Sequence, residues 1–140
     1  MRGIKLGSYH SYTAWGLFLK HWEITPPVPR RHTVTIPGRH GKLDVSKALT
    51  GELLYDNRTL TATFIMMDAR EDWADNYSRI LQAIHGRDLT IYPDDDPDYY
   101  YKGFVEVESF DQGDTHATLT IKADCEPYKY DRAGTGVKKL

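Results

Sequence analysis

The sequence has a single cysteine, Cys125, among its 140 residues, so no intrachain disulfide is possible. It has no apolar run long enough to cross a membrane, and its first residues lack the apolar core of a signal peptide. The formal net charge is -2, which argues against a protein devoted to binding nucleic acid. Synthesis in a reducing cytoplasm is the simplest interpretation of this cysteine content.

Sequence motifs that would indicate an enzyme are missing as well. The serines lie outside a G-x-S-x-G context, there is no glycine-rich phosphate loop, and the histidines include no close pair with zinc-site spacing. Cys125 ends a predicted strand on its apolar face, which favours a buried, inert thiol. His85 is better placed to interact with a helix dipole than to act chemically. We therefore expect no catalytic residue and no cofactor.

The strongest local pattern is an amphipathic helix at about residues 69–85. Asp68 and Glu71 have the spacing of a capping box, and Gly86 lies where a left-handed residue ends a helix. No comparable helix is found elsewhere in the sequence, so the apolar stripe must be buried against a sheet. The stripe comprises Trp73, Tyr77, Ile80, Leu81 and Ile84, and the polar side comprises Arg70, Asp75, Asn76, Arg79 and Gln82.

Alternation of apolar and polar residues predicts about seven strands. They are expected at residues 16–24, 32–36, 42–45, 59–66, 89–92, 99–110 and 117–125. Together with one helix, these strands indicate a mainly β domain. The expected architecture is a β-sandwich or a curled sheet, with the single helix packed against one side.

Residues 26–45 have the pattern of an extended hairpin arm with little apolar content. Three prolines near its start remove hydrogen-bond donors, so this part cannot join a central strand. Alternation resumes on both sides of a turn at residues 37–41. An arm that buries little in its own domain is either floppy or packed on another subunit. The predicted subunit-contact residues are Val34, Ile36, Pro37, Gly38, Arg39 and Leu43.

An acidic loop at residues 93–98 is the one candidate metal site. Asp94, Asp96 and Asp98 match the first three ligand positions of an EF-hand loop. The match then fails, because Tyr99 replaces the glycine at the sixth position and Val105 replaces the glutamate at the twelfth. A solvated acidic turn is the better interpretation, and no metal is expected.

The same loop leaves two other functions open. A small carbohydrate-binding module would use residues 94–98 with the tyrosines at 99–101, but successive tyrosines on a strand point to alternating faces and cannot form one platform. A hydrolase would need a partner acid or nucleophile, and none is suitably spaced.

Five stretches between residues 15 and 130 follow, in order, the motifs of one protein family. They are Trp15-Gly16-Leu17-Phe18-Leu19, Pro26-Pro27, Ile36-Pro37-Gly38-Arg39-His40-Gly41-Lys42-Leu43-Asp44, Tyr55-Asp56-Asn57-Arg58-Thr59-Leu60 and Ala123-Asp124-Cys125-Glu126-Pro127-Tyr128-Lys129-Tyr130. The sequence thereby resembles the distal tail (Dit) proteins of long-tailed phages and prophages of Gram-positive bacteria. His40 departs from the family pattern, which usually has an acid at that position.

The resemblance implies a non-enzymatic virion structural protein of the phage tail. Family members form hexameric rings that join the tail tube to the central hub or tail fibre and the baseplate, and DNA passes through the ring. A hairpin belt embraces the neighbouring subunit, in agreement with the arm at residues 26–45. The implied partners are the chain itself and tail-tube, hub and baseplate proteins, with no membrane. The implied location is the tail tip, after assembly in the host cytoplasm.

The resemblance also implies a domain organisation. The family's N-terminal ring domain is a β-sandwich with one helix, which assigns residues 1–130 to that domain and leaves residues 131–140 as a flexible tail. Many family members have a galectin-like second domain, which we expect to be absent from this chain.

Overall fold

The computed structural model describes residues 2–46 and 51–140. The strands are β1 (Ile4–Leu6), β2 (Tyr9–His10), β3 (Leu17–Ile24), β4 (Thr33–Val34), β5 (Leu43–Asp44), β6 (Arg58–Met66), β7 (Arg87–Pro93), β8 (Tyr99–Gln112), β9 (Ala117–Cys125), β10 (Lys129–Asp131) and β11 (Lys138–Lys139). The helices are α1 (Ser11–Trp15) and α2 (Trp73–Ile84), and a 3₁₀ turn at Arg70–Asp72 leads into α2. The predicted β-rich class with one main helix is confirmed.

A single curled, antiparallel sheet contains every described strand except β4 and β5. Its order is β2-β1-β7-β8-β9-β6-β3, and β10 pairs with the start of β8. The central strands β6 and β9 pair without interruption from Arg58 opposite Cys125 to Met66 opposite Ala117. Of the two predicted architectures, a sandwich and a curled sheet, the structure has the second, with one sheet that curls around its own core.

Alternation along the central strands separates a core face from an outer face. In β6 every second residue is buried, including Leu60 and Phe64, and the intervening side chains are only partly covered. Helix α2 packs on the core face through Trp73, Ile80 and Ile84, which are all buried within the same apolar cluster. The predicted burial of the helix stripe against a sheet is therefore confirmed.

The start of α2 differs from the predicted capping box. Asp72 lies at the N-cap and its side chain makes no capping hydrogen bond. Because a 3₁₀ turn separates Asp68 from the helix, the Asp68 carboxylate instead accepts a hydrogen bond from Asn76 Nδ2 at 2.8 Å. Asn76 is buried rather than on the polar face, and it also donates to the Trp15 carbonyl at 3.2 Å. The capping-box prediction is wrong, because α2 begins at Trp73 and the Asp68 carboxylate binds the Asn76 side chain.

The backbone conformation at the end of α2 is predicted correctly. Gly86 has φ +72°, the left-handed conformation that favours glycine. The neighbouring His85 has a different structural role from the one predicted, because its Nδ1 accepts a hydrogen bond from Val107 N at 3.0 Å. This hydrogen bond ties the helix end to β8.

The residue pair Gly103 and Cys125 marks a close approach of β8 and β9. A Cβ at Gly103 would lie 2.8 Å from Cys125 Sγ and 3.0 Å from the Asp124 carbonyl oxygen. Burial raises the pKa of the Cys125 thiol to about 12. The thiol is therefore buried and protonated at neutral pH, as expected for an inert cysteine.

The C-terminal segment forms a short hairpin, in which Lys129 pairs with Lys139 and Tyr130 with Lys138. Strand β10 joins this hairpin to β8 by pairing Tyr130 with Tyr100. The flexibility of residues 131–140, and the domain boundary at residue 130, stay predictions. Neither helix of the described segments has the length and apolar content that a bilayer crossing requires.

Candidate functional site

The arm leaves and rejoins the sheet between two neighbouring strands. β3 ends at Ile24, opposite Leu60 of β6, so the chain between these strands is an excursion with a closed base. At that base, Thr25 N donates to the Thr59 carbonyl at 2.9 Å, and Thr59 N donates to Thr25 Oγ1 at 3.0 Å. The root of the arm is thus fixed to the sheet by reciprocal hydrogen bonds.

Arg58 anchors the root of the arm from the core side and is only 8% exposed. Its Nε donates to the Thr25 carbonyl at 2.9 Å, and its Nη1 donates to the Pro127 carbonyl at 3.3 Å. Its guanidinium also lies 5.8 Å from the centroid of the Tyr101 ring. Because a buried charge is costly without such partners, Arg58 holds the arm root and the end of β9 together. Its place in the family-like stretch at residues 55–60 is the sequence signal for this role.

Beyond its root, the described residues on the two sides of the arm pair at two places. Pro29 and Tyr55 form an isolated bridge, next to a hydrogen bond from Arg30 N to the Leu54 carbonyl at 2.7 Å. Farther out, β4 and β5 pair over two residues each, as a sheet separate from the main one. The predicted hairpin over residues 26–45 is present, with shorter strands than the alternation indicates.

Two ion pairs lie along the arm. Arg30 Nε lies 2.6 Å from Asp56 Oδ1, and Arg31 Nη2 lies 3.0 Å from Asp44 Oδ2. Hydrogen bonds from the side chain and backbone of Ser46, followed by one from Arg31, lower the pKa of the Asp44 carboxyl to about 2. Both pairs are exposed, and exposed ion pairs contribute little to stability because water and salt screen them. The two ion pairs therefore add little to the stability of the arm.

The predicted contact residues all lie on this arm, in its outer part. Val34 and Ile36 are 46% and 36% exposed, unusually open for β-branched apolar side chains. Pro37, Gly38 and Arg39 form the exposed tip, and Leu43 is half-buried opposite Val34. The structure thus brings the six residues together on one hairpin, and their contact with another subunit stays a prediction.

The acidic loop is mostly exposed, as predicted, but Pro93 is buried and Asp96 is only partly exposed. Its first carboxylate also binds the N-terminal segment. Asp94 Oδ2 accepts a hydrogen bond from Gly3 N at 2.9 Å and lies 2.8 Å from His10 Nε2. His10 Nδ1 accepts from Tyr12 N at 3.2 Å and caps α1, which the sequence pattern did not predict. Since Nδ1 is an acceptor, Nε2 carries the proton and donates to Asp94.

The next two aspartates bind other parts of the chain. Asp95 accepts a hydrogen bond from Trp22 Nε1 at 2.7 Å, and Asp96 pairs with Lys129 Nζ at 2.6 Å. The loop therefore joins the N-terminal strands, β3 and β10. Within residues 2–46 and 51–140, no group of three or more His, Cys, Asp or Glu side chains is arranged to hold a metal ion.

We expect the protein to bind no structural metal at this loop. Asp94, Asp95 and Asp96 each have a donor from the chain, so a calcium ion would have to displace those donors. The expected result is an unchanged melting temperature in chelator and no tight binding of calcium by calorimetric titration. A large loss of melting temperature in chelator would contradict this expectation.

The tyrosines after the loop alternate between faces, as predicted. Tyr101 is buried in the core, whereas Tyr100 lies in a row with Tyr92 and Tyr130, at centroid distances of 5.2 and 5.8 Å. Arg132 lies 4.7 Å from the centroid of Tyr92, and Lys102 lies at the same distance from that of Tyr130. These cations occupy ring faces that a sugar would need, so the row gives the carbohydrate-binding alternative no support.

Comparison with known proteins identifies the fold. No family model matches the chain, and no curated protein matches it. Among solved structures, the crystal structure of the Dit protein (gp 19.1) of phage SPP1 matches with a TM-score of 0.72. The match covers 94% of this chain and 52% of that chain at 18% sequence identity. This chain has the SPP1 Dit fold.

The likeness to the SPP1 Dit protein extends over only part of that protein. That protein is described as a paradigm of the hub adsorption apparatus in phages that infect Gram-positive bacteria, and this chain spans about half its length. A native gene transfer agent virion also matches, with a TM-score of 0.47 at 16% identity, covering 87% of this chain and 89% of that one. This TM-score is too low to establish a shared fold. The motif-based resemblance is thus confirmed at the level of the fold.

In this Dit-like fold, the family-like stretches concentrate around the arm. The stretch at residues 36–44 forms its tip and return strand, and the stretch at residues 55–60 forms its root. The stretch at residues 123–130 ends β9 beside Arg58, whose guanidinium binds the Pro127 carbonyl. The sequence resemblance therefore follows the elements that hold and shape the arm.

Proposed function

We propose that this chain is a structural subunit of a phage or prophage tail tip, in which copies form a ring between the tail tube and the hub or baseplate. The observation that carries the proposal is the Dit fold over 94% of the chain, at a TM-score of 0.72. At 18% identity this likeness establishes fold and not activity, so the arm supplies the second line of support. No enzymatic role is proposed.

The arm supports a ring for a physical reason. A two-stranded hairpin alone is marginal in water, and here β4 and β5 pair over only two residues each. A stable position for the arm would come from a neighbouring subunit. A head-to-tail contact repeated from copy to copy closes into a ring when the rotation per copy allows it. Six copies are proposed from the family resemblance.

The polar character of the arm suits such a contact. Interfaces between subunits combine apolar anchors with a polar rim and hydrogen bonds. Val34 and Ile36 would be the apolar anchors, while the surrounding arginines and histidines would form the rim. DNA would pass through the ring as cargo without sequence-specific contacts, in line with the net charge of -2. The protein would be assembled in the host cytoplasm and would remain at the virion's tail tip.

Light scattering coupled to size exclusion tests the ring directly. The expected mass is that of six copies of the 16.1 kDa chain, and negative-stain images should show closed rings. A protein that stays monomeric at every concentration would contradict the proposed ring. An open filament would support the head-to-tail contact but contradict closure.

A further inference from the structure

The formal charges of the chain are divided unequally between the arm and the body. Residues 26–45 contain four arginine or lysine side chains and one aspartate, so the arm has a net charge of +3. The whole chain has a net charge of -2, so the remaining residues have -5. A basic arm on an acidic body attracts the body of a second copy, and such complementarity steers association.

The unpaired positive charge of the arm lies at its tip. Arg30 and Arg31 are already paired with Asp56 and Asp44. In contrast, Arg39 and Lys42 are exposed and have no charged partner in the part of the chain that the structure describes. The tip thus offers two cations, together with the exposed apolar side chains of the outer arm.

A groove on the outer face of the sheet has the complementary composition. It crosses β7, β8 and β9 and has a volume of about 410 Å³. Three carboxylates line it, from Asp88, Asp124 and Glu126, with one lysine, Lys102, so its formal net charge is -2. Phe104 also lines it and is 39% exposed, which gives the groove an apolar surface.

The groove faces away from the core of its own subunit. Along β8, Tyr101 and Val105 are buried, while Lys102 and Phe104 alternate with them and are exposed. The Asp88 carboxylate has no hydrogen-bond or charged partner within the described residues. The groove therefore keeps an unsatisfied negative charge beside an exposed aromatic ring.

We infer that the arm tip of one copy docks in this groove on the next copy, with Arg39 and Lys42 against the carboxylates and Ile36 against Phe104. The inference rests on the proposed ring and specifies the surface that receives the arm. Two cations meet a net charge of -2, and exposed apolar side chains meet one another. Both surfaces then lose the exposed apolar area that each has alone.

Mixed proteins that each carry one introduced cysteine test the docking. One protein carries His40→Cys at the arm tip and the other carries Thr90→Cys in the groove, and a short bis-maleimide is added to the mixture. The buried Cys125 thiol, with its raised pKa, stays unlabelled. We expect a covalent dimer of the two proteins, and much less product when Ser78→Cys on the exposed side of α2 replaces Thr90→Cys.

Charge reversal gives a second readout. Arg39→Glu or Asp88→Lys alone should weaken association roughly tenfold or more, since about 1.4 kcal/mol corresponds to a factor of ten. Combining both reversals should restore association, whereas Glu108→Lys, an equal charge change at another exposed position of β8, should have little effect. If rings form but the crosslinked dimer does not, and the double charge reversal does not restore association, the groove assignment is wrong and the proposed ring still stands. A wild-type protein that never associates would overturn both this assignment and the ring.

Discussion

Replacing Ile80 with alanine is expected to lower the free energy of unfolding by about 2–5 kcal/mol, the usual cost of truncating a buried isoleucine. Ile80 is 0% exposed and lies in the buried stripe of α2 between Trp73 and Ile84. The loss combines the transfer energy of the removed methyl groups with the cavity that remains. Urea-induced unfolding followed by circular dichroism measures the change.

Gln82→Ala is the matched control, because Gln82 is on the same helix and is exposed. Substitutions at such surface positions usually change stability by less than about 0.5 kcal/mol. Arg87 Nη2 binds the backbone carbonyl of Gln82 at 3.1 Å, a contact that alanine retains. Equal, small effects at Ile80 and Gln82 would show that the helix stripe is not a core surface.

Elements that bury one face could be predicted from sequence, because burial leaves a periodic pattern. β6 and β9 alternate over nine residues each, and α2 repeats its apolar residues at helical spacing. The short elements near the N-terminus left no such pattern. β1 and β2 have three and two residues, and α1 is a five-residue helix that a histidine caps. Gly16, predicted to open a strand, instead ends α1 with φ +66°.

Polar side chains were predicted less well because their partners are distant in sequence. Asn76 binds the Trp15 carbonyl across 61 positions, and Asp94 binds Gly3 N across 91. The local sequence pattern places Asn76 on a polar helix face and Asp94 in a solvated turn. The packing of the sheet, which no short window of sequence reports, decides both outcomes.

The arm could be predicted because its prolines and lack of apolar periodicity exclude a place in the core. The root contacts of Arg58 could not be predicted in the same way, since one of its two acceptors is the Pro127 carbonyl, 69 positions away. The groove proposed to receive the arm leaves no pattern in a short window of sequence, because residues of β7, β8 and β9 line it together.

Replacing residues 33–42 with a short Gly/Ser linker is expected to convert a ring into a folded monomer. The segment removed is exposed along its whole length, so the core loses nothing. The contacts that fix the arm root, from Thr25, Arg58 and the Pro29–Tyr55 bridge, lie outside it. Light scattering should fall from the mass of six chains to that of one, while the thermal unfolding transition should stay cooperative.

A Gly/Ser replacement of residues 133–136 is the control for shortening an exposed turn, because these residues are also exposed and lie outside the arm. It should keep the mass of the wild type. If the arm variant keeps that mass as well, the arm is not the element that joins subunits. The Dit fold would then remain, and the ring contact would have to come from the body of the domain. If the arm variant loses the ring and the control keeps it, the arm is the segment that joins subunits. The arm contributes almost nothing to the core of its own domain, which explains why its side chains remain exposed in a single chain.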